Sequence, residues 1–188
     1  METKTLSKNF KTYKFNFNGA NIKIYKDNIE KPIVKDDGSF LIVENETTAK
    51  IEQLFIKNKV GKIVYEDNIE LILPKSSNNE EIIFSSSRGN INLKDLILDR
   101  LIIHHGFGDI KLENIDSPLI NIDLVRGNVI AEIKESILNY TTLVNGNCEQ
   151  STIESMDTNN VPVFLDNKHN LNIDNPSGNI KILFKGKR

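Results

Sequence analysis

Gly89-Asn90-Ile91-Asn92-Leu93 returns nineteen residues later as Gly108-Asp109-Ile110-Lys111-Leu112, then as Gly127-Asn128-Val129-Ile130-Ala131, and in a fainter copy as Gly146-Asn147-Cys148-Glu149-Gln150. A fixed period near twenty marks a chain that winds in similar coils, each burying its apolar face against its neighbours. Two residues after each glycine the column holds Ile91, Ile110, Val129 and Cys148, and two further on Leu93, Leu112, Ala131 and Gln150. A second pair of columns precedes the glycine: Ile82, Leu101, Ile120 and Asn139, then Phe84, Ile103, Ile122 and Thr141. Spacing by two is the mark of a strand with one face inside. Each coil should therefore carry two short parallel-stacked strands joined by a Gly-Asx corner. Glycine takes positive φ there without strain, and Asn or Asp can bond its own backbone. Gly89, Gly108, Gly127 and Gly146 are the expected corners, with Asn90, Asp109, Asn128 and Asn147 as a ladder beside them.

Working outward, residues 1–75 lack this register but still read as β. Tyr13, Phe15 and Phe17 alternate, Asn18-Gly19 has the form of a two-residue hairpin turn, and Ile22 and Ile24 alternate again. Further strands are expected at Ser39 to Val43, Lys62 to Tyr65 and Ile69 to Leu73, while Ile51, Leu54 and Phe55 within Thr48 to Lys57 are also spaced for a short helix. After Gly146 no glycine stands at the next repeat position, which is Leu165, and Val161-Pro162-Val163 interrupts the pattern. Ser177-Gly178-Asn179-Ile180-Lys181-Ile182 restores it as a closing strand. The organisation expected is a capping region over 1–75, repeats over 76–160, and an irregular last coil over 161–188, since open coil ends need covering.

With 188 residues, 38% hydrophobic content, no Trp and a net charge of −2, the chain suits a thin stack of aliphatic columns. No block of like charge is long enough for a nucleic-acid groove, which removes nucleic acid as a partner. Cys148 is the one cysteine, so no intrachain disulfide can form, and its column suits a small buried hydrophobe. Met1 through Phe10 is polar, and no apolar run long enough to span a bilayer occurs. As written the chain is expected to be cytoplasmic; with an anchor outside the sequence it would sit at a cell envelope.

The run Ile69-Glu70-Leu71-Ile72-Leu73-Pro74-Lys75, then Ser87-Arg88-Gly89-Asn90-Ile91-Asn92-Leu93 and Gly108-Asp109-Ile110-Lys111-Leu112-Glu113-Asn114-Ile115, resembles the bacterial putative-adhesin family of β-strand-repeat domains. The resemblance covers residues 69 to about 150. It implies a right-handed β-solenoid or β-roll placed at a bacterial cell envelope, and it brings no catalytic residues with it. Together with the repeat and its open ends, the expected fold is all-β, a right-handed parallel β-solenoid with irregular caps at both ends.

Among candidate site residues, His104 and His105 are adjacent on a strand and point to opposite faces, so they cannot share a metal. His104 falls in the outward column with Ser85, Asp123 and Thr142, beside Asp123 of the next coil, while His105 falls in the column of Ser86, Leu124 and Leu143, at the interior edge. Immediately before the glycines stand Arg88, Phe107, Arg126 and Asn145, which would place Phe107 between two guanidinium groups. Arg88, Phe107, Arg126, His104 and Asp123 thus form the expected surface patch. Calcium-binding coils require an Asp in every corner, and here only Asp109 is one. No cofactor or metal is expected. The leading function is a non-catalytic scaffold or adhesin-like module that meets a protein or glycan surface and can dimerise through edge strands. The alternatives are a small carbohydrate-active or metal-dependent β-helix enzyme built on His104, Asp123 and Asp109, and an intracellular polymer stacked end to end.

Overall fold

The computed structural model describes residues 1–37, 40–54, 67–146, 151–156 and 169–186. In chain order the strands are β1 (Glu2–Thr5), β2 (Thr12–Phe17), β3 (Ala20–Asp27), β4 (Ile33–Asp36), β5 (Phe40–Glu44), β6 (Thr48–Gln53), β7 (Asp67–Pro74), β8 (Glu80–Arg88) and β9 (Ile91–Lys94). They continue as β10 (Leu98–Phe107), β11 (Ile110–Ile115), β12 (Leu119–Arg126), β13 (Val129–Ile133), β14 (Tyr140–Gly146), β15 (Thr152–Ser155), β16 (His169–Asn175) and β17 (Ile180–Phe184). Alternation explains them: in β10, Leu101, Ile103 and His105 are buried while His104 faces out.

Two sheets result, one ordered β1-β4-β7-β3-β9-β11-β13-β17-β15 and the other β14-β16-β12-β10-β8-β2-β6-β5. The chain passes repeatedly from the second sheet round a corner into the first, and each passage makes one layer. In stacking order the layers are β6/β7, β2/β3, β8/β9, β10/β11, β12/β13, β16/β17 and β14/β15. Strands of neighbouring layers pair in parallel, but β4 lies antiparallel on β7, β1 on β4 and β5 on β6. Both sheets are therefore mixed, in place of the uniformly parallel arrangement expected.

The three middle layers keep the nineteen-residue register, with Leu101 against Ile82 and Ile120, and Ile110 against Ile91 and Val129. The fourth copy does not stack next. Ile120 meets Leu171 instead of Asn139, Ile122 meets Ile173 instead of Thr141, and Val129 meets Ile180 instead of Cys148. Polar Asn139 and Thr141 cannot extend an aliphatic column, whereas Leu171, Ile173, Ile180 and Ile182 can and are fully buried. Each such side chain contributes roughly 1.5–3 kcal/mol relative to exposure. β14 lies outside β16, where Gly146 pairs with Asn175 and is no corner to the third coil. Gly178 takes that place, so close to the Gly127 carbonyl that a Cβ would sit 1.5 Å from its oxygen.

The other end repeats the arrangement. Asn18-Gly19 is not a hairpin turn: β2 pairs with β8 and β6, and β3 with β9 and β7, so the two residues join different sheets. Gln53 fastens this corner, its Oε1 accepting from the Asn18 and Gly19 N–H groups at 2.9 and 3.0 Å while its Nε2 donates to the Gly19 carbonyl at 2.9 Å. Where a helix was expected from Thr48, strand β6 forms with Ala49 and Ile51 buried, while Phe55 to Lys57 of that stretch lie outside the described residues. Residues 12–27 form a full layer in place of a cap, and one buried cluster runs from Leu6 to Phe184 through both sheets. The strand expected at Lys62 to Tyr65, Asn147, Cys148 and the Val161-Pro162-Val163 interruption lie outside the described residues.

Candidate functional site

The corners fix everything that faces outward near them. Gly89, Gly108 and Gly127 have φ of 113°, 135° and 144°, a region that L side chains rarely adopt. At Gly108 an added Cβ would also lie 1.9 Å from the Gly89 carbonyl oxygen. The Asx residue that follows each glycine bonds to the next layer. The Asp109 N–H donates to Asn90 Oδ1 at 3.0 Å, and the Asn128 N–H to Asp109 Oδ1 at 2.8 Å. The ladder extends past both ends of the repeat: the Asn90 N–H donates to Asn21 Oδ1 at 3.0 Å and the Asn179 N–H to Asn128 Oδ1 at 3.3 Å.

Phe107 continues the inward parity of Leu101, Ile103 and His105, but at the point where the corner begins, so its ring emerges at the rim, 46% exposed. Register sets Arg88 on one side of it and Arg126 on the other. The Arg88 guanidinium lies 5.7 Å from the ring centroid, within cation–π range. On the outer face, His104 Nδ1 and Asp123 Oδ2 are 2.7 Å apart, both side chains about half exposed. Three residues of strand, about 10 Å, separate His104 from Phe107. The expected patch is thus two neighbouring contacts, a rim pair and a face pair.

The face column runs Ser85, His104, Asp123, Asp174, Asn145, so Asp174 takes the place expected of Thr142, which pairs with Leu171. Asn145 Nδ2 donates to Asp174 Oδ1 at 3.2 Å. The copied signature at Asn179 was the signal that could have found it. Among the described residues no group of three or more His, Cys, Asp or Glu converges as a metal site, and no helix is long and apolar enough to cross a membrane.

Behind the rim, His105 is buried, with Nε2 2.8 Å from the Gly89 carbonyl oxygen and Nδ1 2.6 Å from Ser86 Oγ. A carbonyl can only accept, so Nε2 carries the proton and Nδ1 accepts from the hydroxyl. Burial holds this imidazole below the ordinary histidine range, against the opposing pull of the Gly89 carbonyl. In the same column, fully buried Asn175 donates from Nδ2 to the Gly127 carbonyl at 3.0 Å. Two corners are therefore held from inside by a side-chain donor.

No family model matches the chain, and no curated protein matches it in sequence. Solved structures do. The chain is similar over 98% of its length, and 98% of the other's, to a putative cell adhesion protein from Clostridium sporogenes, at a TM-score of 0.64 and 16% identity. It is also similar to a putative adhesin from Bacteroides fragilis, TM-score 0.43, 12% identity and 96% of each chain. A third is a putative lipid binding protein from Parabacteroides distasonis, TM-score 0.30, 13% identity, covering 99% of this chain and 94% of that one. The first likeness shows a shared fold; the other two, below a TM-score of 0.5, establish nothing further.

Proposed function

We propose that the chain is a non-catalytic, adhesin-like interaction module of the putative-adhesin type, its layers wound as a right-handed β-solenoid scaffold and presented at a bacterial cell envelope. It binds a protein or glycan surface through Phe107 and its flanking Arg88 and Arg126, with His104 and Asp123 on the adjoining face. The observation that carries this is the half-exposed aromatic ring held against a guanidinium on a rigid corner. Aromatic and Arg side chains are the groups on which binding energy concentrates. The shared fold with the putative cell adhesion protein supports the reading. A glycan array and immobilised envelope fragments, probed with the wild type, Phe107→Ala and His104→Ala, form the test. Retention lost in Phe107→Ala, with the thermal midpoint nearly unchanged, is expected. Equal retention by both variants would remove the patch from the proposal.

A further inference from the structure

A groove of about 480 Å³ lies elsewhere, on the outer face of the nine-stranded sheet where β3, β7 and β9 leave their corners. Its volume falls in the range of ligand clefts. Register arranges its floor as two rows: Asn68, Asn21 and Asn90 at the first outward position, then Glu70, Lys23 and Asn92 at the next. Three strands across and two outward positions along give a floor of about 10 by 7 Å. Asn92 stands between Lys23 and Lys111 on the neighbouring strands, and its shorter side chain leaves the depression.

The hydrogen-bonding capacity left in this floor identifies the ligand chemistry. Asn21 is engaged at both ends of its amide, its Oδ1 accepting from the Asn90 N–H and its Nδ2 donating one hydrogen to Asn68 Oδ1 at 3.3 Å. Asn90 uses Oδ1 for the Asp109 N–H, and its Nδ2 has no partner among the described residues. The Asn92 amide has none there at all, which leaves two donor hydrogens and one acceptor oxygen on a single planar group. Lys23 and Glu70 are 3.8 Å apart, too far for a hydrogen bond but close enough to offset each other's charge. The Lys23 ammonium is held in place over the Tyr25 ring, 4.7 Å from its centroid.

A phosphate or carboxylate would meet the Glu70 and Asp37 carboxylates in the lining as well as Lys23. An apolar ligand would strand the unpaired amides. Adjacent hydroxyls suit them, one donating to an amide oxygen while the next accepts from the amide nitrogen. The geometry points to a binding site for one neutral sugar ring, seated on Asn92 and Asn90 beside Lys23, on the side of Lys23 away from Glu70. The site shares none of its lining residues with the Phe107 rim, so either can fail without the other.

The test is a nitrogen-15 correlation spectrum of the full chain titrated with D-glucose, D-galactose and N-acetyl-D-glucosamine, with D-glucuronate and inorganic phosphate as charged comparators. At least one neutral sugar should give saturable shifts of the Asn90 and Asn92 side-chain amides, weakened at least about tenfold in Asn92→Ala. Phe107→Ala should leave them unchanged. Asn92→Ser, which keeps one polar group, should lie between wild type and Asn92→Ala. The inference is overturned if no neutral sugar gives saturable shifts there, if Asn92→Ala binds as well as the wild type, or if glucuronate or phosphate binds more tightly than every neutral sugar.

Discussion

The middle layers and the end layers of this stack are built from the same parts in a different chain order. From β8 to β13 each layer lies beside the one that precedes it in sequence, and Leu101 sits between Ile82 and Ile120. At the ends the chain leaves a position open, builds the layer beyond it, or returns to fill it, so that Tyr13 lies beside Ile82 and Ile120 beside Leu171. The corner ladder is indifferent to this, because Asx oxygens accept from the next layer at sequence separations of 19, 51 and 69 residues alike. Stacking needs the corner chemistry, and a constant period is only its simplest source.

The corners themselves give the sharpest contrast. Ala20 occupies at one end the column that Gly89 and Gly108 occupy in the middle, and its carbonyl oxygen is 1.8 Å from where a Cβ on Gly89 would lie. Gly108→Ala should be the most damaging change: strained positive φ costs about 1–3 kcal/mol, and forcing a Cβ against backbone adds about 1–3 kcal/mol more. Ala20→Gly should cost no more than about 1 kcal/mol, since Ala already fits there. Urea denaturation of the two variants checks this. Equal losses would mean that the end corner is built like the middle ones.

This difference also decides what could be read in advance. The inward columns of residues 82–133, the Arg88–Phe107 contact and the His104–Asp123 pair were legible because their partners stand nineteen residues apart. The end layers were not, because their offsets are unequal and Ala20 replaces the glycine. A different signal was present: Asx, then Ile or Val, one intervening residue, then Leu, Ile or Ala, at Asn21, Asn68, Asn90, Asp109, Asn121, Asn128 and Asn179. All of these except Asn121, which lies inside β12, head a strand of the nine-stranded sheet. The sugar groove stayed hidden because it requires β7 beside β3, a neighbour relation that a nineteen-residue scan cannot propose.

Next in size is the buried donor that joins an end layer to the middle. Asn175→Ala removes the Nδ2 bond to the part-buried Gly127 carbonyl, so a loss of about 0.5–1.5 kcal/mol is expected. Amide exchange should show β16 and β17 opening more readily while β8 to β11 keep their protection. A uniform loss of protection would mean that the stack unfolds as one unit with no weaker end.

The equivalent donor in the middle, His105, adds pH dependence that Asn175 cannot. Its pKa in the folded chain lies below the ordinary value, so the unfolded chain binds its proton more readily. The contribution of neutral His105 is fully present above the unfolded-state value near 6.5. It is lost as pH falls from there through the lower folded value. The thermal midpoint should drop over that interval. His105→Asn, which keeps a donor for the Gly89 carbonyl without titrating, should flatten this part of the profile. An unchanged slope would assign the dependence to other groups.

The smallest effect is expected at the rim. Phe107 touches solvent with nearly half its surface and gains at most the Arg88 contact and partial burial, about 0.5–1 kcal/mol for the cation–π pair at an exposed site. Phe107→Ala should therefore lower stability by about 1 kcal/mol or less, far below the cost at Gly108 a single residue away. Phe107→Leu keeps the apolar bulk and removes the π face, so it should recover the part due to burial alone. If Phe107→Ala cost as much as a buried aromatic, about 3–5 kcal/mol, the ring would be a structural member of the corner. A small stability loss joined to a large loss of surface binding would instead separate the residue's two roles, because a side chain that contributes little to folding yet stands exposed on a rigid frame is free to be used by a partner.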